Sequence, residues 1–274
     1  MLKFTFARLA ALSTIVVLCV TASVSANHSW GGYHWARTEN PVNLQIGSNL
    51  TTAAWRTALG SENAPSTAIF DWGLSGVLDL RLVAGRAKGN CKPTVGRIEV
   101  CNGSYGNNGW LGIAQIWITG GVHITQATTK LNDTYFNTPT YNTPAWRQLV
   151  VCQEVGHNFG IGHQDENFDN ANLNTCMDYT SNPASNQHPN GHDYDQLDQI
   201  YLSHTDGYST AAAAKLPNGV PPAMGQLDFD GRAQWGQVKK ESRRESEFEL
   251  DFGGGNLLVT HVFWADPQAD AHQP

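Results

Sequence analysis

Apolar and polar positions change their period several times along the chain. Pro41 to Ser48 (PVNLQIGS) alternates, with Val42, Leu44 and Ile46 on one side, which predicts a strand. Leu78 to Val83 (LDLRLV) alternates in the same way, and Arg97 to Cys101 (RIEVC) predicts a shorter strand. Gly112 to Thr119 (GIAQIWIT) and Val122 to Thr125 predict two more around Gly120-Gly121. Thr51 or Thr52 can cap a helix through AAWRTAL. Thr143-Pro144 opens a longer helix, since threonine satisfies free first-turn amides and proline tolerates the first helical position. That helix runs through AWRQLVVCQEVGHNF and stops at Gly160, a residue suited to a left-handed turn. Leu197, Ile200 and Tyr201 recur at helical spacing in Asp193 to His204. The C-terminal part reads as a hairpin, EFELDF and LLVTHVFWA joined at GGGN.

The first residues read differently. Lys3 and Arg8 precede the apolar run Leu9 to Val20, and Val24-Ser25-Ala26 supplies small residues for cleavage, so a secretory signal peptide is expected at 1–26. The run is too short to span a bilayer, and no later segment is long and apolar enough. Removing the first 26 of 274 residues leaves 248, and the loss of Lys3 and Arg8 takes the net charge from −7 to −9. No basic face is present to hold nucleic acid. The run KKESRRESEFELD mixes signs and reads as a solvated surface.

Beyond Cys19 the chain has Cys91, Cys101, Cys152 and Cys176, an even set that suits an oxidising compartment. Three pairings exist. Cys91–Cys101, closing a short loop, with Cys152–Cys176, tying the long helix to a later loop, is the one favoured. Four cysteines on a structural zinc would want C-x-x-C spacing, which is absent. Asn27, Asn49, Asn102 and Asn132 lie in glycosylation sequons. The aspartate-rich runs 165–169 and 193–198 lack the calcium-loop spacing, and no calcium is expected.

The chemistry concentrates in CQEVGHNFGIGHQD, Cys152 to Asp165. Residues i and i+4 share a helix face, so Gln153 and His157 point together, with Glu154 beside them. A turn at Gly160 brings His163 back. Three convergent ligands with an open fourth position suit catalytic zinc. The metal acidifies water, and an adjacent carboxylate takes the proton and passes it to a leaving amine.

QEVGHNFGIGHQD resembles the H-E-x-x-H-x-x-G-x-x-H motif of metzincin metallopeptidases at every specified position but the first. Cys176-Met177-Asp178-Tyr179 resembles the family's methionine turn. The resemblance covers roughly Tyr33 to His204. It implies an α+β zincin domain, with a twisted mixed sheet, an active-site helix, a methionine turn and a C-terminal helix. It further implies zinc held by Gln153, His157 and His163, Glu154 as general base, Tyr179 stabilising the oxyanion, and Met177 and Gly160 supporting the site. Gly109 to Thr119 would then be the edge strand that pairs with an extended substrate.

Gln153 is the departure: an amide oxygen is neutral, as imidazole is, but a weaker donor to zinc. Asp165, Tyr179, His123 and His192 are alternatives for completing the set. Asp165 otherwise reads as structural, and His188 and His192 as solvent-facing. The expected organisation is a signal peptide at 1–26, a catalytic domain at 27–205, a linker at 206–245 and a small β-hairpin extension at 246–274. The expected function is a secreted, monomeric zinc endopeptidase acting on peptides or proteins. A catalytically inactive binding module on the same fold and a non-peptidase zinc hydrolase are the alternatives.

Overall fold

In a computed structural model, residues 28–87, 89, 91–225 and 231–266 are described. The expected signal peptide and the Asn27 sequon lie outside the described residues. The strands are β1 (His34–Trp35), β2 (Val42–Asn49), β3 (Leu78–Ala84), β4 (Ile98–Gly103), β5 (Trp110–Thr119), β6 (His123–Asn132), β7 (Gln237–Glu241), β8 (Glu245–Gly253) and β9 (Asn256–Trp264). The helices are α1 (Ala53–Leu59), α2 (Ala68–Trp72), α3 (Asp133–Phe136), α4 (Pro144–His157) and α5 (Gly191–Leu202). The architecture is mixed α/β on one mixed sheet.

The sheet runs β3-β2-β4-β6-β5-β9-β8-β7, with β1 pairing β6 beyond the stretch that β4 uses. Strands β3, β2, β4 and β6 are parallel; β5, β9, β8 and β7 each run antiparallel to the neighbour before. Trp110–Thr119 is therefore not an edge strand, which corrects the sequence-based expectation. It is bonded to β6 on one side and to β9 on the other. The hairpin fills the edge because β5 offers a long row of unpaired amides and carbonyls, and β9 supplies apolar groups to both faces, Val259 and Phe263 to one cluster and Leu258 and Val262 to the other.

Every residue of β5 is buried, as expected when both faces of a strand are covered. Leu111, Ile116 and Ile118 join the larger core with Leu149, Val150 and Val155 of α4. Trp110, Ile113 and Trp117 join a second cluster with Met224, Trp235, Phe248, Leu258 and Val262. Within the stretch read as a linker, Met224 and Trp235 are thus buried and β7 adds a strand. The tip of the hairpin, Gly253-Gly254-Gly255, takes positive φ throughout (82, 64 and 76°), and the Gly121 amide donates to Gly255 O at 2.8 Å.

The charged run 239–251 does not stay in solvent. Strand β7 is exposed, but Arg244, Glu245 and Glu247 are buried. The Arg244 guanidinium packs over the rings of Trp146, Phe168 and Phe263 at 5.5 to 5.7 Å and donates to Ser181 Oγ at 2.9 Å. Asn102 and Asn132 are also buried, Asn132 as the cap of α3, so neither sequon presents its amide in the folded chain. Disulfides join Cys91 to Cys101 and Cys152 to Cys176, which is compatible with an extracellular protein. Among the described residues no helix is long and apolar enough to cross a membrane.

A candidate metal centre under the hairpin

Helix α4 begins as the sequence dictates: Thr143 Oγ1 accepts from the Trp146 amide at 3.2 Å and Pro144 fills the first turn. Its C-terminal half is buried, from Gln148 through His157. Trp72 Nε1 donates to Cys152 O at 3.0 Å, and the Cys152–Cys176 disulfide ties the helix to the Met177 turn. Gly112 of β5 lets the helix come close, since a Cβ there would meet Val150 at 2.6 Å and Glu154 at 3.0 Å.

After His157 the chain turns through Gly160, with φ of 89°. A Cβ at Gly160 would lie 1.8 Å from Tyr33 O, so both the backbone conformation and the space require glycine. The turn is held by Trp35 Nε1 on Asn158 O (2.9 Å) and Tyr201 Oη on Phe159 O (2.8 Å). It returns His163 to His157, with their Nε2 atoms 3.1 Å apart. Met177 packs beneath: a Cβ on Gly156 would stand 2.8 Å from its sulfur. The Tyr179 ring lies 4.4 Å from the His163 ring, and burial pushes its phenol far above the ordinary range.

The third imidazole comes from β9. His157, His163 and His261 each offer a nitrogen, and these lie within 4.8 Å of one another, all buried. Gln153 turns its amide elsewhere: Nε2 donates to Glu245 of β8 at 3.1 and 3.3 Å, and Oε1, though buried, has no hydrogen-bond partner. The His261 Nδ1 hydrogen bonds Glu154 Oε2 at 3.0 Å, and its Nε2 makes a very short contact with Glu245 Oε2. Glu245 Oε2 is also 3.2 Å from His163 Nε2. Asp165 stands aside; its carboxylate accepts from the Asn167 amide and from Asn170. His192 stacks on His28, and His123 belongs to a different cluster on β6.

The donor chemistry fits a metal. A carbonyl only accepts, so His157 Nδ1, 2.8 Å from Ile161 O, must carry the proton, which leaves the Nε2 lone pair facing the cluster. A carboxylate likewise fixes His261 Nδ1 as a donor toward Glu154. Burial, with His261 and His163 close by, lowers the His157 pKa well below its ordinary value and keeps it neutral, the form a metal ligand needs. Burial would lower His261 too, but Glu154 and Glu245 raise it to about 10. Burial raises Glu154, whereas for Glu245 the His163 and His261 charges outweigh burial and bring it down to about 2. Without a metal, then, a cationic His261 supplies the positive charge between two carboxylates. A divalent ion would take over that charge and satisfy the facing nitrogens.

Trp30, His163, Glu166, Lys240 and Glu247 line a cavity of about 550 Å³ beside the cluster. Within that lining, Lys240 Nζ bonds Glu166 at 2.7 Å and reaches Glu247 at 3.6 Å.

His261 and Glu245 were invisible to motif spacing. A signal was present nonetheless. Leu257, Val259 and Phe263 form an apolar stripe in β9, and His261 interrupts it. Glu245, Glu247 and Glu249 alternate along β8 with Ser246, Phe248 and Leu250. No protein-family model, no curated protein and no solved structure matches this chain.

Proposed function

We propose that the chain is a secreted zinc hydrolase of metzincin-like design, acting on peptide bonds, whose third zinc ligand is His261 from the C-terminal hairpin rather than Gln153. The observation that supports this most is the convergence of three buried imidazoles with two buried carboxylates at the end of α4. His157, His163 and His261 would hold the metal, three imidazoles with one position left over being a pattern of catalytic zinc. When bound, zinc would act as a Lewis acid and acidify water at that position.

The chain's own groups then divide the remaining work. Glu154 Oε2 accepts from His261 Nδ1, which fixes the tautomer and directs Nε2 inward. Glu245 Oε2, held by the Gln153 amide, is the acceptor for a proton and its later donor to the leaving amine. In this reading Gln153 keeps its motif position because it orients the base. The acid–base role expected of Glu154 passes to Glu245. The Tyr179 phenol stays protonated, so it can donate to an oxyanion. Substrate would approach from the cavity beside His163, because the edge of β5 is filled by β9.

One observation favours an inactive metal-binding module instead: His157, His261, Glu154 and Glu245 are all fully enclosed. The two readings separate in one experiment on the purified full chain, with zinc content measured beside hydrolysis of an unstructured protein substrate. His261→Ala is expected to lose the zinc of this cluster. Glu245→Gln is expected to keep zinc and lose about 100-fold or more in hydrolysis, the scale of a general base. Zinc lost in His261→Ala with no hydrolysis by the wild type would support the module. Zinc content unchanged in His261→Ala would overturn the ligand assignment.

A further inference from the structure

The geometry points to a second metal site, held by His34, His204 and Asp206, which shares no residue with the α4 cluster. His34 belongs to β1, and His204 and Asp206 follow α5. One atom from each lies within 4.8 Å of the others. His34 Nε2 and His204 Nε2 are 3.2 Å apart, and they stand 3.7 and 3.6 Å from Asp206 Oδ1. Zinc bonded to nitrogen and oxygen at roughly 2.0–2.1 Å in a tetrahedron sets its ligands roughly 3.3–3.4 Å apart. The three separations bracket that edge.

The outer atoms are arranged to present those ligand atoms. His34 Nδ1 donates to Gly32 O at 2.9 Å, so in the neutral ring the lone pair is on Nε2. His204 Nδ1 is 3.0 Å from Ser203 Oγ, which leaves its Nε2 inward as well. Two imidazole nitrogens at 3.2 Å need a proton or a cation between them. Asp206 is divided in the same manner. Its Oδ2 accepts from the Arg37 amide at 3.1 Å and from Arg37 Nη1 at 3.2 Å, while Oδ1 faces the histidines. Arg37 is itself spent on the carbonyls of Tyr201 and His204, both 2.6 Å from Nη2.

His123 of β6 is the positioning residue. Its Nε2 donates to Asp206 Oδ1 at 3.1 Å, and its Nδ1 lies 2.7 Å from Tyr208 Oη. Such outer partners orient metal ligands in known sites. The His204 side chain is 46% exposed, so an ion can enter without rearrangement of the core. The bound ion would be of the zinc class, since two imidazoles and one carboxylate suit it. It would clip the segment before β2 to the exit of α5, groups 170 residues apart in sequence, where loop closure has most entropy to remove.

The test is zinc titration of the chelator-stripped full chain, followed by metal content after gel filtration. The wild type is compared with His204→Ala, Asp206→Asn and His261→Ala. Two equivalents are expected in the wild type and one in each variant. A single wild-type equivalent that disappears in His204→Ala but persists in His261→Ala would uphold this site and remove the α4 centre. An equivalent lost only in His261→Ala would overturn this site and leave the α4 centre standing. His204→Ala changes a half-exposed ring and is expected to fold. Should Asp206→Asn not fold, cobalt substitution of the His261→Ala chain decides: the visible bands of a tetrahedral ion support the site, and their absence overturns it.

Discussion

Single residues decide whether α4 can present its histidines. Gly160 is the sharpest case, because left-handed backbone and contact with Tyr33 O coincide there. Gly160→Ala is expected to cost about 3 kcal/mol or more, read as a fall in the denaturation midpoint, since strain and overlap add. The sequence made this position legible, as glycine after an amphipathic run is a turn signal. It made Gln153 only half legible. The spacing said correctly that its side chain shares a face with His157. It could not say that a carboxylate from another strand would claim the amide, because nothing local to QEVGH encodes Glu245.

Among elements, the legible parts are those whose determinants are local. The cap and proline that start α4, the alternation of β2 and β3, and the short Cys91–Cys101 loop each follow from neighbouring residues. The hairpin was legible as a hairpin but not as the partner of β5, because pairing across the sheet depends on which edge is free. Arg244 fixes that docking. It lies among Trp146, Phe168 and Phe263, and its carbonyl accepts from the Trp264 amide at 2.6 Å. Arg244→Ala removes three cation–aromatic contacts from a desolvated position, worth about 2 kcal/mol or more together. Amide exchange in β9 is expected to quicken while that of β2 and β4 is unchanged. Equal acceleration in all three strands would mean that Arg244 supports the whole molecule rather than the hairpin.

At the scale of the whole molecule, stability should carry a pH signature from Asp193. Burial raises its carboxyl from 3.8 to about 6, against hydrogen bonds from Thr175 and the Asn190 amide; His28 Nε2 stands 3.6 Å away. The folded state therefore keeps a proton that the unfolded chain releases between those two values. The unfolded state binds fewer protons in this window, so stability falls as pH rises through it and is level above it. Asp193→Asn retains an acceptor oxygen and has no proton to lose. Its stability relative to wild type is expected to improve by on the order of 2–3 kcal/mol between pH 4 and pH 7, measured by chemical denaturation at both values. A constant difference across that range would show that Asp193 titrates alike in both states.

The pairing of Glu154 with His261 joins groups 107 residues apart, and the later one lies in β9, the last strand among the described residues. A nascent chain with α4 complete still lacks this imidazole, and so does a chain broken anywhere before Asn256. The three-imidazole cluster thus forms only once β9 has been made. A product that ends between His163 and β9 keeps QEVGHNFGIGH but not the third imidazole. On the proposed reading, such a fragment is expected to lack both the zinc of this cluster and the hydrolysis that depends on it.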